Sequence, residues 1–321
     1  MTYTSGGLIQ ATDYNGFVST TAGANVNDVW ATGASDKGWG QSALATVSAT
    51  NTVTATQWAS LVNTIASMGS QTGTTITART APTAGTTISV LAAVNTDLTN
   101  VTTNRNNAAA VGTQYTGWTG TNSKTATTSG ASWTITFTNT VTFASAAAAR
   151  YFFNAGGLIK LDTAKSSTGN TGDPEWNDLA TTLCGDIYFS GVAASHTIAG
   201  VAYTGTTKIG GTGTPTTLST ATGYYALTPG AAATIIYKQF ADTAPYTSNF
   251  IQHSVALNAG STALTFTTLW SASDGDPITG GTASSGATPG TAPTTICTYF
   301  PPSTTYLSNS RGTPTVAATT A

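Results

Sequence analysis

Residues 133–138 read WTITFT, and this stretch sets the character of the longer part of the chain. Trp133, Ile135 and Phe137 alternate with threonines, which is the period of a strand with one buried face. Further segments rich in threonine and aromatic residues follow, separated by turn-rich spacers. This pattern predicts a mostly antiparallel, β-sandwich-like module over residues 133–280. The later strand-like segments are Ile187–Phe189, Tyr224–Leu227, Ala233–Phe240, Phe250–Leu257 and Ala263–Trp270.

Two short helices are predicted within this module. The first covers residues 146–153 and ends at the Asn-Ala-Gly-Gly run of residues 154–157. The second begins at Asp173, a strong N-cap residue, with Pro174 at the first helical position. Its apolar stripe consists of Trp176, Leu179, Ala180 and Leu183.

The first 112 residues are predicted to form a helical module for docking and oligomerisation, which gives an α+β fold class for the whole chain. Its clearest helix follows a threonine N-cap at Thr54 or Thr56 and ends near Gly69. One buried stripe recurs along it at helical spacing. The stripe consists of Trp58, Leu61, Val62, Ile65 and Met68.

A third helix is predicted within residues 88–107, where apolar side chains repeat every three or four positions. Such a seam needs a partner, either the helix that carries Trp58 or a copy of itself in another subunit. We predict the second arrangement, a homo-oligomer such as a trimer, and expect Leu98→Asp to dissociate it. The predicted oligomerisation residues are Leu91, Val94, Leu98 and Val101.

Two segments lack the apolar pattern of a core. Residues 113–132 are rich in Gly, Thr and Ser and are predicted to be a linker. Residues 281–321 are predicted to be an extended tail that lies along the fold or along a neighbouring subunit. Its one apolar patch is at residues 296–300.

Charge is scarce, since only 7% of the residues are Asp, Glu, Lys or Arg and the net charge is −2. Without a basic stripe, nucleic acid is not an expected partner. No apolar run reaches the ~20 residues that cross a bilayer, so no membrane span is expected. The first ten residues, MTYTSGGLIQ, lack the basic and apolar regions of a secretion signal. A surface of hydroxyls and amides suits a protein of a large assembly or of the extracellular space.

No catalytic, cofactor-binding or metal-binding site is predicted. Glu175 is the only glutamate, and its place in the first turn after Asp173 fits helix stabilisation. His196 and His253 lie in no nucleophile motif and have no zinc-ligand spacing with the cysteines. Cys184 and Cys297 are expected to be buried free thiols, although a disulfide between them remains an alternative.

Two motifs carry a resemblance to a protein family. Residues 38–41, GWGQ, and residues 149–157, ARYFFNAGG, resemble segments of tailed-bacteriophage virion structural proteins of the cyanophage and marine-phage type. The later order is similar too: a tryptophan-containing helix, a Gly-Tyr-Tyr segment at 223–225, and strands over 249–257 and up to Trp270. The resemblance spans roughly residues 8–70 and 133–280. It implies a particle component made in the host cytoplasm and exposed outside the cell, and it implies no enzymatic activity.

The function expected from this resemblance is a non-enzymatic structural role in assembly and surface display, associated with a tail or tail fibre. Two alternatives stay open: a capsid-decoration or head-fibre protein, and a receptor-binding protein that attaches to host surface glycan. Expected partners are copies of the chain and other virion proteins. Aromatic side chains near loops are candidates for stacking on sugars. These are Tyr115, Trp118, Tyr246 and Tyr306.

Overall fold

A computed structural model describes residues 10–20, 24–85, 91–121, 132–166, 173–272 and 293–320. It shows an α+β fold in which short helices accompany two large antiparallel sheets. The helices are α1 (Ala11–Asn15), α2 (Val26–Trp30), α3 (Ala55–Thr72), α4 (Leu91–Thr103), α5 (Ala146–Asn154) and α6 (Asp173–Asn177). Two π-helical turns, Gly16–Thr20 and Asp178–Leu183, directly continue α1 and α6.

Helix α3 is the centre of the helical module, and its predicted stripe is buried as expected. Thr54 and Gln57 form a capping box at its start, which satisfies backbone donors that the first turn leaves free. The helix runs one turn further than predicted and ends at Gly73, which has φ +68°. Gly69 therefore lies inside the helix, where its lack of a Cβ lets Ile76 pack closely.

Helix α4 packs inside the same module, and this corrects the predicted oligomerisation seam. Val94, Leu98 and Val101 are buried in the cluster that α3 also contributes to. These three side chains are covered within one chain, so the intermolecular prediction for them is wrong. Leu91 lies at the start of α4, but its side chain is outside the described residues. On the same helix Asp97 forms a buried ion pair with Arg79.

Thirteen strands are present in the described part of the chain. Sheet one has the order β1-β12-β3-β4-β7, sheet two has the order β13-β2-β11-β10-β9-β8, and β5 and β6 form a separate hairpin. The strands are β1 (Tyr115–Thr121), β2 (Trp133–Thr142), β3 (Leu158–Ala164), β4 (Asp186–Phe189), β5 (His196–Ile198), β6 (Val201–Tyr203), β7 (Thr206–Ile209), β8 (Thr217–Leu218), β9 (Thr234–Phe240), β10 (Phe250–Leu257), β11 (Ala263–Ala272), β12 (Thr294–Phe300) and β13 (Thr315–Thr320).

The two large sheets share one apolar core, as a β-sandwich does. Strand β2 shows the alternation predicted for it: Ile135 and Phe137 are fully buried, and the threonines between them are not. Phe189 of sheet one and Phe266 of sheet two meet edge to face, with 5.4 Å between ring centroids. Trp176 of α6 packs against Trp270, with 5.7 Å between the ring centroids.

The predicted linker and tail both contribute strands, so these two predictions need correction. Strand β1 lies within the predicted linker and pairs with β12, while residues 122–131 are outside the described part. Strand β12, from the predicted tail, lies between β1 and β3 inside sheet one. Gly117 of β1 packs against Val316 of β13 so closely that a Cβ would overlap it, which brings the edges of the two sheets together.

A smaller difference concerns residues 224–227, for which the sequence predicts a strand. Tyr224–Ala226 form a 3-10 turn instead. Backbone bonds from Tyr224 N to Ser190 O (3.0 Å) and from Tyr225 N to Gly191 O (3.1 Å) hold this turn against the loop after β4. The tertiary contact therefore overrides the strand preference of the two tyrosines.

Candidate functional site

The two motifs that carry the family resemblance lie against each other. The loop after α2 wraps around α5, and Arg150 is the main contact. Its guanidinium donates hydrogen bonds to the carbonyl oxygens of Gly33 (2.9 Å) and Lys37 (3.1 Å), and more weakly to those of Thr32 and Ser35. A planar donor with several N–H groups can hold several carbonyls at once, so one side chain fixes the whole loop.

Asn154, the last residue of α5, is buried beneath the same loop. Its amide nitrogen donates to the carbonyl oxygens of Lys37 (2.8 Å) and Gly38 (3.1 Å). Its amide oxygen accepts from the Tyr225 hydroxyl at 2.6 Å. That hydroxyl also lies 2.8 Å from Ser35 O. Burial raises the pKa of Tyr225, so its hydroxyl stays a neutral donor.

Trp39 and Gly40 complete the contact from the loop side. The Trp39 indole nitrogen donates to Asn154 O at 3.0 Å, and its ring lies edge to face with Trp30. Gly40, at φ +71°, packs against the ring of Tyr151. We call this set, residues 32–41 with Arg150, Tyr151, Asn154 and Tyr225, the interlock. It joins the helical module to the sandwich through uncharged acceptors.

Gln41 extends the interlock to the C-terminal segment. Its amide oxygen accepts from Ser308 N (2.8 Å), and its amide nitrogen donates to Ser308 O (3.1 Å). The neighbouring Leu307 is buried in the core of the helical module. Gln41 thus pairs with the backbone of Ser308 through both groups of its amide.

Gly40→Ala is expected to weaken the interlock, because the new Cβ would overlap the Tyr151 ring. Gly200→Ala is a matched control, since Gly200 also has positive φ (+82°) but a Cβ added there would meet no atom within 4 Å. Backbone strain alone costs about 1 kcal/mol at either site. We therefore expect Gly40→Ala to lower the free energy of unfolding by about 2–3 kcal/mol and the control by about 1 kcal/mol, measured by urea denaturation. Equal losses would mean that Tyr151 does not constrain Gly40.

The predicted sugar-stacking aromatics lie in four different environments. Tyr115 and Tyr306 are exposed, at 51% and 41% of their surface. Trp118 is half-buried and packs against Phe137. Tyr246 is buried in the sandwich core, because the turn 243–249 folds back onto it through backbone bonds. The prediction that Tyr246 faces a ligand is therefore wrong, and the structure does not gather the four into one site.

A pocket of about 340 Å³ lies beside Tyr115, and composition alone did not point to it. Arg311 lines it, and this residue is the only Lys or Arg after Lys238 in the sequence. An isolated arginine in a stretch rich in threonine and proline was the available signal. The sequence could not show that the side chain is buried and placed next to Tyr115 and Tyr299.

Several described carboxylates of the sandwich lie close to other polar groups or are partly buried. Lys160 lies 3.3 Å from Asp186 and 3.7 Å from Asp162. Burial and the nearby Asp186 raise the pKa of Asp162. Burial also raises the pKa of Glu175, which hydrogen-bonds to Thr243. The Asp173 side chain is outside the described residues. Within the described ranges no group of three or more His, Cys, Asp or Glu is arranged to hold a metal ion.

Both cysteines are free and buried, and burial raises the pKa of each thiol to about 12. Thiolates are the reactive form, so neither thiol is activated for nucleophilic chemistry at neutral pH. This agrees with the expectation of structural thiols.

Protonation of His253 is expected to lower the free energy of unfolding in mild acid. It is buried on β10, stacks on Tyr237, and its Nδ1 lies 2.9 Å from Thr268 Oγ1. Burial lowers its pKa to about 3, below the unfolded value of about 6.5. The neutral ring therefore makes its full contribution to the free energy of unfolding above pH ~6.5. Below that pH the free energy of unfolding falls by about 1.4 kcal/mol per pH unit until the pH reaches about 3. His253→Gln should flatten the dependence of unfolding free energy on pH over this range, and an unchanged slope would contradict the assignment.

Comparison with protein-family models, with curated proteins and with solved structures finds no match for this chain. In the described ranges, none of the helices has the length and apolar character needed to cross a bilayer.

Proposed function

We propose that the protein is a non-enzymatic structural component of a tailed-phage particle, associated with the tail or a tail fibre. It would act as a homo-oligomer in assembly and surface display, made in the host cytoplasm and exposed outside the cell. A capsid-decoration or head-fibre position is the alternative within the same class.

The interlock is the observation that supports this proposal most. The motifs of residues 38–41 and 149–157 are more than a hundred positions apart, and in the fold they form one buried hydrogen-bonded contact. Arg150 and Asn154 are used mainly on backbone carbonyls there. A particle protein needs a fixed relation between a docking part and a displayed part, and a buried contact of this kind would supply it.

The composition supports the same proposal. With 7% charged residues, contacts with neighbours in an assembly would rest on apolar burial and on amide and hydroxyl hydrogen bonds. Such contacts are little affected by salt, because screening acts on exposed charges. The stripe predicted for oligomerisation is used inside the monomer, so an interface must lie elsewhere.

Quantitative mass spectrometry of purified phage particles tests this proposal. Copies of the chain are counted relative to the portal and the major capsid protein. A count close to that of the portal would support a tail or fibre position, and immunogold labelling at the tail would agree. A count comparable to the capsid protein would support the decoration alternative. Absence of the chain from intact particles would overturn the proposal.

A further inference from the structure

The pocket beside Tyr115 lies at one end of the sandwich, where β1 and β13 begin and β12 ends. Its walls are three chain segments that hold one another. Gly112 N donates to Pro301 O (2.7 Å), and the Tyr299 hydroxyl lies 3.3 Å from Pro314 O. Gln41 also hydrogen-bonds to Ser308, which holds in place the chain segment that leads to Arg311. The pocket is thus built on strands and on a tethered segment.

Arg311 brings an unpaired positive charge to this pocket. The residue is 4% exposed, and its Nη2 donates to Pro302 O at 2.8 Å. The Nε and Nη1 atoms are buried and have no hydrogen-bond partner in the described part of the chain. The described residues that line the pocket include no carboxylate, and none of the ion pairs among described residues involves Arg311.

A buried cation without a counter-ion is costly. Of the other three arginines, two pair with carboxylates, and Arg150 donates to four backbone carbonyls. Arg79 pairs with Asp97, and Arg105 pairs with Asp36. Burial lowers the pKa of Arg311 to about 10, which leaves it protonated at neutral pH. Because its planar fork matches a carboxylate, a bound carboxylate would supply the missing acceptors.

An aromatic platform lies next to the charge. The Tyr115 ring is half-exposed and lies 4.8 Å from the ring of Tyr299, with 34° between the planes. The buried Tyr299 ring fixes the Tyr115 ring, so a flat apolar face of Tyr115 is held toward solvent. Asn309 and Thr304 also line the pocket and can hydrogen-bond to ligand hydroxyls. The volume is at the small end of ligand pockets, which suits about one sugar unit.

We propose that this pocket binds a carboxylate carried on a pyranose ring, the chemistry of a uronic acid unit in an acidic polysaccharide. The sugar ring stacks on Tyr115 and its carboxylate pairs with Arg311. The inference stands on the pocket alone and does not depend on the particle assignment. It gives the chain a receptor-type site at one end of the sandwich.

Calorimetric titration tests the proposal with three probes on the full chain: D-glucuronate, D-glucose and acetate. Glucuronate is expected to bind. Glucose lacks the carboxylate and acetate lacks the ring, so each should bind at least about tenfold more weakly, the factor expected from losing one charge-assisted or stacking contact. Acetate binding as tightly as glucuronate would overturn the sugar assignment, and no binding of glucuronate would overturn the whole proposal.

Matched variants locate the binding. Arg311→Lys keeps the charge but loses the fork, and Tyr115→Ala removes the half-exposed ring that packs on Tyr299. Both should weaken glucuronate binding at least about tenfold. Tyr306→Ala is the control, since Tyr306 is an exposed tyrosine outside the set of described residues that line the pocket. If Arg311→Lys does not fold, Tyr115→Ala decides alone. Unchanged affinity in Tyr115→Ala, or an equal loss in Tyr306→Ala, would contradict the site.

Discussion

Asn154→Leu is expected to lower the free energy of unfolding by about 3–5 kcal/mol, because it leaves several buried polar groups without partners. Leucine has the same branched shape and leaves no cavity, so the loss combines unmet hydrogen bonds with the crowding caused by its larger methyl groups. The carbonyl of Gly38 and the hydroxyl of Tyr225 both lose their contact with residue 154. Urea denaturation followed by circular dichroism measures the change.

Tyr225→Phe provides the matched comparison, since it removes one donor of the same network and keeps the ring. Its expected cost is about 1–2 kcal/mol. The double variant should cost less than the sum of the singles, because Tyr225 and Asn154 share the bond between them. Additive losses would mean that Tyr225 and Asn154 are not coupled. A loss below about 1 kcal/mol for Asn154→Leu would mean that the interlock contributes little to stability.

Leu98→Asp is expected to unfold the helical module, at a cost of at least about 4 kcal/mol. The side chain is fully buried among apolar groups, so a carboxylate there has no water and no partner. This outcome replaces the dissociation of an oligomer that the sequence pattern alone predicts. Circular dichroism and sedimentation of the same sample distinguish the two.

Thr99→Asp is the control, because it introduces the same charge one residue further along α4 at an exposed position. It should change the unfolding free energy by no more than about 0.5 kcal/mol. A Leu98→Asp protein that stays folded but becomes smaller in sedimentation would restore the oligomerisation role of this helix.

The parts of the fold that repeat regularly could be predicted from the sequence. The alternation in β2 and the stripe of α3 each mark one buried face, and both are found where expected. The start of α6 was also predicted, since the Asp-Pro pair at residues 173–174 is a local signal. Local pattern and tertiary environment agree at these places.

Other parts of the fold could not be predicted from the sequence, because they depend on contacts between residues that are distant in the chain. Strand β12 is a short apolar patch in a stretch otherwise rich in Thr, Gly and Pro, and the hydrogen bonds that make it a strand come from β1 and β3 on either side of it. A helical seam such as that of α4 looks the same whether its partner is in the same chain or in another. Arg150 and Arg311 are single arginines in sequence, and only the fold distinguishes Arg150, which binds several carbonyls, from Arg311, whose Nε and Nη1 have no partner among the described residues.

Hydrogen exchange across a urea series tests most directly whether the interlock makes the helical module and the sandwich one cooperative unit. Peptides from α3 and from β11 report on the two parts. The predicted result is that both lose protection at the same urea concentration in the unaltered protein, and that α3 opens earlier than β11 in Asn154→Leu. Separate opening of α3 and β11 in the unaltered protein would contradict the account.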